Sequence, residues 1–157
     1  MIDQSKARLA LGCVMVIASV ATVSAQKTAT PPSDEDQSTA VGCLRSLNTA
    51  EAYYAKEYAR GFSPSLAALS PPPQGEKASP AAADLIDPSL TGGHKANYVF
   101  TYKTGAPDAQ GQINSYTLTA RPAKWQKGVR SFFTDQTAVL RWTEENRAPT
   151  VKDPPIQ

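Results

Sequence analysis

This chain has few of the residues from which active sites are built. Its 157 residues include one histidine, His94, and two cysteines, Cys13 and Cys43. A lone histidine leaves no partner for a serine triad. No HExxH, paired CxxC, Walker loop or GxSxG is present. Runs of like charge are also missing: 16 basic residues stand against 14 acidic ones, net +2. That balance argues against a nucleic-acid partner. The one long apolar stretch, Leu9 to Val23, falls short of the ~20 residues that a spanning helix needs. With so thin an inventory, no catalytic residue, cofactor-binding residue or metal ligand is assigned, and the chain reads as non-catalytic.

What is present begins with an export pattern. Lys6 and Arg8 precede the apolar stretch, and Val23-Ser24-Ala25 follows it with small residues suited to cleavage before Gln26. Residues 1–25 therefore read as a signal peptide, with an uncleaved membrane anchor as the alternative. Cleavage predicts a periplasmic or secreted protein; retention predicts an inner-membrane anchor facing the periplasm. Cys13 follows Leu-Gly as a lipoprotein cysteine does, but at the start of the apolar run instead of its end. Cleavage would leave Cys43 as the single thiol. Such a thiol is either buried and inert or paired with a second chain, and burial is the simpler expectation.

Residues 26–33, QKTATPPS, have nothing to pack and read as a flexible linker. Ser33 before Asp34, Glu35 and Asp36 is a helix start: a hydroxyl to cap free amides and carboxylates at the positive dipole end. The helix is expected to run to about Arg60, where Gly61 can close it. At 100° per residue, Ala40, Cys43, Leu44, Leu47, Ala50, Tyr54 and Tyr58 share one face. Glu51 falls within that face, either as an edge carboxylate reaching water or as the partner of an arginine from the covering layer. Phe62 is expected to anchor the next turn, Ser63-Pro64 to start a short helical turn through Leu66 and Leu69, and Asp87-Pro88 to start another. The proline-rich loop 71–83 between them has only packing to hold it.

The period then changes from 3.6 to 2. NYVFTYK, INSYTLTA, VRSFFT and AVLRW alternate or carry one apolar face, and short turn-rich links join them. These predict a four-stranded antiparallel meander covered by the long helix, an α+β fold spanning residues 34–143. Residues 144–157, polar and proline-bearing, read as a disordered tail. His94 reads as a solvated turn residue, Asp84 and Asp87 as local caps, and Asp135 as a turn acid. Of Tyr98, Tyr102, Tyr116, Phe132 and Trp142, about half are expected to face away from the helix. They are ordinary surface there, or a partner-binding patch.

The segments AVGCLRSLNTAEAYYAKEYARGFSPSLAAL, DLIDPSL, NYVFTY, NSYTLTA and VRSFFTDQTAVLRW occur in an order that resembles type IV pilin-like proteins and type II secretion pseudopilins, most of all the prepilin-like proteins of acidobacteria. The resemblance covers roughly Ala40 to Trp142. It implies a long helix laid on a small antiparallel sheet, and work through protein contacts as an accessory to a pilus or secretion system. Two departures stand out. The prepilin peptidase site of assembling members is missing, and loop 71–83 lacks the cysteine pair that relatives often carry there. An alternative is an extracytoplasmic module binding a peptide or glycan on the exposed sheet face. A protein partner is expected on the first reading, and a membrane only if residues 1–25 are retained.

Overall fold

A computed structural model of the chain describes residues 30–156. The proposed signal segment, and the linker up to residue 29, lie outside the described residues. No helix among the described residues is long and apolar enough to cross a membrane.

Helix α1 spans Asp34–Tyr58. Its start is the one the acids predict. Ser33 Oγ accepts from the Asp36 amide at 3.1 Å, and the Ser33 amide donates to Asp36 Oδ2 at 2.9 Å, a reciprocal box that satisfies two end groups. Its end differs. Ala59, not Gly61, takes the left-handed conformation (φ 51°), its amide donating to Ala55 O. Gly61 is used two residues later for close approach. A Cβ there would overlap the Ile113 carbonyl, which accepts from the Phe62 amide at 2.7 Å. Phe62 anchors the turn as expected, edge-on to Tyr116 with ring centroids 4.8 Å apart.

Helix α2, Leu66–Leu69, and helix α3, Pro88–Thr91, fill the stretch before the sheet. Ser65, not Ser63, caps α2. Asp87 caps α3, with Pro88 in the first turn. The loop between them is held by more than packing. The amides of Ala83 and Leu85 donate to the carbonyls of Ala68 and Leu69, both at 2.8 Å. Tyr54 OH donates to Pro80 O at 2.8 Å. The second half of α1 is thus covered partly by this loop, where the sequence reading had it on the sheet alone.

The sheet has five antiparallel strands in the order β1-β2-β3-β4-β5: His94–Lys95, Tyr98–Thr104, Tyr116–Pro122, Ser131–Asp135 and Arg141–Thr143. The fold is α+β, as predicted, with five strands where four were expected. The extra one, β1, is two residues long, too short to show alternation. It is formed by a tight hairpin in which Ala96 and Asn97 both take positive φ, the geometry that matches strand twist.

Alternation sorts the two faces. Tyr98, Phe100, Leu118, Ala120 and Phe132 are buried in the core together with Ala40, Leu44 and Leu47 of α1. Polar ties fasten α1 along its length. Asn97 Nδ2 donates to Asp36 Oδ2 and the Arg130 amide to Gln37 Oε1, each at 3.1 Å. In mid-helix, Asn48 Nδ2 donates to Thr134 Oγ1 at 3.0 Å, and Tyr116 OH donates to Asn48 Oδ1 at 2.9 Å. Near the end, Glu51 meets Ser63.

The expectation of a disordered tail after Thr143 is not met. Arg147 pairs with Asp153, which is buried and accepts from the Thr150 amide at 2.6 Å. Residues 154–156 then return beside β5: Trp142 N donates to Pro154 O, and Ile156 N donates to Leu140 O. Ile156 packs against the core. The linker is likewise ordered where it is described, with Pro32 buried.

Candidate contact site

Positions 34, 38, 41 and 45 of α1 follow a helical stripe beside the core-facing one. Asp34, Ser38, Val41 and Arg45 form one wall of a cleft of about 740 Å³. Phe132 and Trp142, neighbours across β4 and β5, and Pro154 to Ile156 supply the apolar remainder. The cation Arg130 lies over Trp142, its guanidinium carbon 4.2 Å from the ring centroid, and its Nε donates to Glu144 Oε1 at 3.3 Å. The Arg130 amide is bonded to Gln37, so this wall is fastened to the helix. Arg45 stands exposed on the rim, in no ion pair among the described residues. An aromatic floor with proline edges and a free guanidinium suits a flat apolar group carrying a nearby carboxylate or carbonyl. It offers no paired nucleophile and base.

The aromatic residues are not split between the faces. Tyr98, Tyr116 and Phe132 are buried, Tyr102 and Trp142 pack against the same core, and all five share the helix side of the sheet. On the strands the outward aromatic is Phe133, itself 7% exposed, and Trp125, from the link between β3 and β4, lines the outer face beside Val99, Thr101 and Arg121. It lines a crevice with Pro149, Thr150 and Val151 of the returning C-terminal segment. What remains of the outer face carries Thr101, Lys103, Thr117 and Thr119.

Neither reading of Glu51 holds. It reaches no water, being 0% exposed, and it meets no arginine among the described residues. The Ser63 amide donates to Glu51 Oε2 at 2.8 Å, and Ser63 Oγ lies 2.6 Å from Glu51 Oε1. Tyr102 OH donates to Ser63 O at 2.7 Å. Burial raises the Glu51 pKa, opposed in part by the bonds from Ser63 and then Tyr102. Burial likewise pushes the hydroxyls of Tyr98, Tyr102 and Tyr116 far up.

The other singled-out groups serve local structure. Cys43 is buried and unpaired with any other described cysteine, its thiol pKa raised by burial. His94 is exposed in β1. Asp87 accepts from the Ser89 amide at 2.7 Å, and bonding to the Ser89 side chain and then to this amide lowers its pKa. Asp135 accepts from the Thr137 amide at 2.9 Å in the β4–β5 turn, as expected. Asp84 is no cap. It sits exposed at φ 56°, with its backbone amide on Ser70 O. Asp153 is held down to about 2, first by its bonds from Arg147. No group of three or more His, Cys, Asp or Glu side chains placed to hold a metal occurs among the described residues.

Comparison with protein-family models, curated proteins and solved structures finds no match, and nothing in it identifies a pilin-like family.

Proposed function

We propose that this chain is a non-catalytic, exported pilin-like domain that works through protein contacts, as an accessory to a type IV pilus or type II secretion system. The observation that carries the contact reading is the cleft between α1 and Trp142. An indole, two prolines and Arg45, in no ion pair among the described residues, converge there with no reactive pair beside them. A long helix laid on an antiparallel meander supports the pilin-like part, together with the sequence resemblance. The acids that reach the interior or the turns are occupied in caps and internal bonds. The outer sheet face, with its threonines and its covered Phe133, presents one partly exposed aromatic, Trp125, to a glycan or peptide.

The test is site-specific photocrosslinking in the native host. A crosslinker at Arg45 is expected to capture a component of the envelope or the secretion machinery, while one at Lys77, in the loop beyond α2, captures none. Equal labelling from both positions, or none from Arg45, overturns the reading. The intact mass of the purified protein tests export separately: a chain starting at Gln26 is expected, and one retaining Met1 replaces it with an anchored protein.

A further inference from the structure

We propose that Glu51 is held in the fold as the neutral carboxylic acid, and that its ionisation releases the turn Gly61–Ser65 from α1. The fold thereby contains a device that loosens as pH rises. Three oxygens surround the Ser63 hydroxyl: Glu51 Oε1 at 2.6 Å, Ser65 O at 3.1 Å and Tyr102 OH at 3.3 Å. A serine hydroxyl has one hydrogen to give. With Glu51 protonated, every hydrogen has one place. Glu51 Oε1–H donates to Ser63 Oγ, Ser63 Oγ–H donates to Ser65 O, and the Ser63 amide donates to Glu51 Oε2. Tyr102 OH keeps its bond to Ser63 O. With Glu51 ionised, the serine proton must turn to the carboxylate. Ser65 O then loses its hydroxyl donor and keeps only the Ala68 amide, and a fully buried charge is met by hydrogen bonds alone, with no ion pair among the described residues.

The groups facing Glu51 do not rescue the charge. Tyr54 on α1, Tyr102 on β2 and Tyr116 on β3 are the titratable groups that feel it, and all three are neutral phenols. α2, which follows the turn, contains only Leu and Ala. Arg60 acts on Tyr54 but forms no ion pair with Glu51. The turn is well placed to transmit the change, because Ser65 caps α2.

The sign follows from proton linkage. An acid whose folded form keeps its proton better than the unfolded chain contributes stability that is fully present below the unfolded value, about 4.3. That stability is lost as pH rises towards the folded value. The test compares urea unfolding of the wild type and Glu51→Gln across about pH 4 to pH 8. Glutamine copies the neutral acid, donating to Ser63 Oγ and accepting from its amide. The wild-type unfolding constant is expected to gain, relative to the variant, up to about tenfold per pH unit within the window. Identical pH slopes in the two proteins overturn the proposal, as does a wild type that gains stability relative to the variant with rising pH. Infrared spectroscopy of the wild type with ¹³C-carboxyl glutamate keeps the proposal falsifiable should the variant fail to fold. A protonated-carboxyl band is expected to persist after the exposed glutamates ionise, and to vanish together with amide protection in Gly61–Ser65. A Glu51 carboxyl that ionises together with the exposed glutamates, with amide protection in Gly61–Ser65 unchanged, overturns it.

Discussion

Asn48 lies on the apolar side of α1, one residue after Leu47, and both ends of its amide are in use. Asn48→Ala would strand the hydroxyls of Tyr116 and Thr134 in the interior, where each unmet group costs about 1–3 kcal/mol. A loss of at least about 2 kcal/mol is expected in urea unfolding, with Tyr116→Phe costing less because it removes the donor as well. Leu47→Ala, at a position with no exposure, is expected to cost about 2–5 kcal/mol by the same measurement. Cys43 should resist a thiol reagent in the folded protein and react fully once it is unfolded. Fast native labelling would contradict its burial. The sequence placed Glu51 and Cys43 on the buried face because helical phase is fixed by counting. Their surroundings could not be read that way. Ser63 is one serine among many, and only the backbone path after Ala59 brings its amide to a carboxylate 12 residues earlier.

At the level of elements, the C-terminal segment decides how the sheet ends. β5 would otherwise be an open edge, a template for pairing with another chain. Residues 154–156 occupy it, and two of these three are prolines, which cannot donate onward. Truncation after Glu144 is therefore expected to expose both that edge and Phe133, and to make the protein aggregate on warming at a lower temperature than the full chain, measured by light scattering. Asp153→Ala should weaken the strap more gently, shown as faster trimming by carboxypeptidase with the rest of the fold intact. This element was the least legible in advance. Its polar, proline-bearing composition fits a loose tail, and the fold that orders it depends on one buried carboxylate caught by Arg147. The helix start and the four longer strands were legible because capping and alternation are local. β1 was not, since two residues cannot declare a period.

Across the whole molecule, the core is apolar and its ties are hydrogen bonds. Among the described residues three ion pairs occur, and only Arg147–Asp153 includes a buried partner. Raising the ionic strength should therefore move the thermal midpoint little, because exposed pairs are already screened. A large downward shift in calorimetry would show that charge, not packing, holds the domain. The α+β layering was legible from the change of period alone. The cleft was not: its walls come from the first turns of α1, two strands and the last described residues, and no single segment of sequence carries its signature. Asp34 and Ile156 both line it, so the first helix residue and the last described one open onto the same space. An affinity tag, dye or fusion partner joined directly before residue 30 or after residue 156 would be tethered beside that space, at a high local concentration. Such an appendage would act as a built-in competitor, and affinities measured with end-tagged protein would come out too weak.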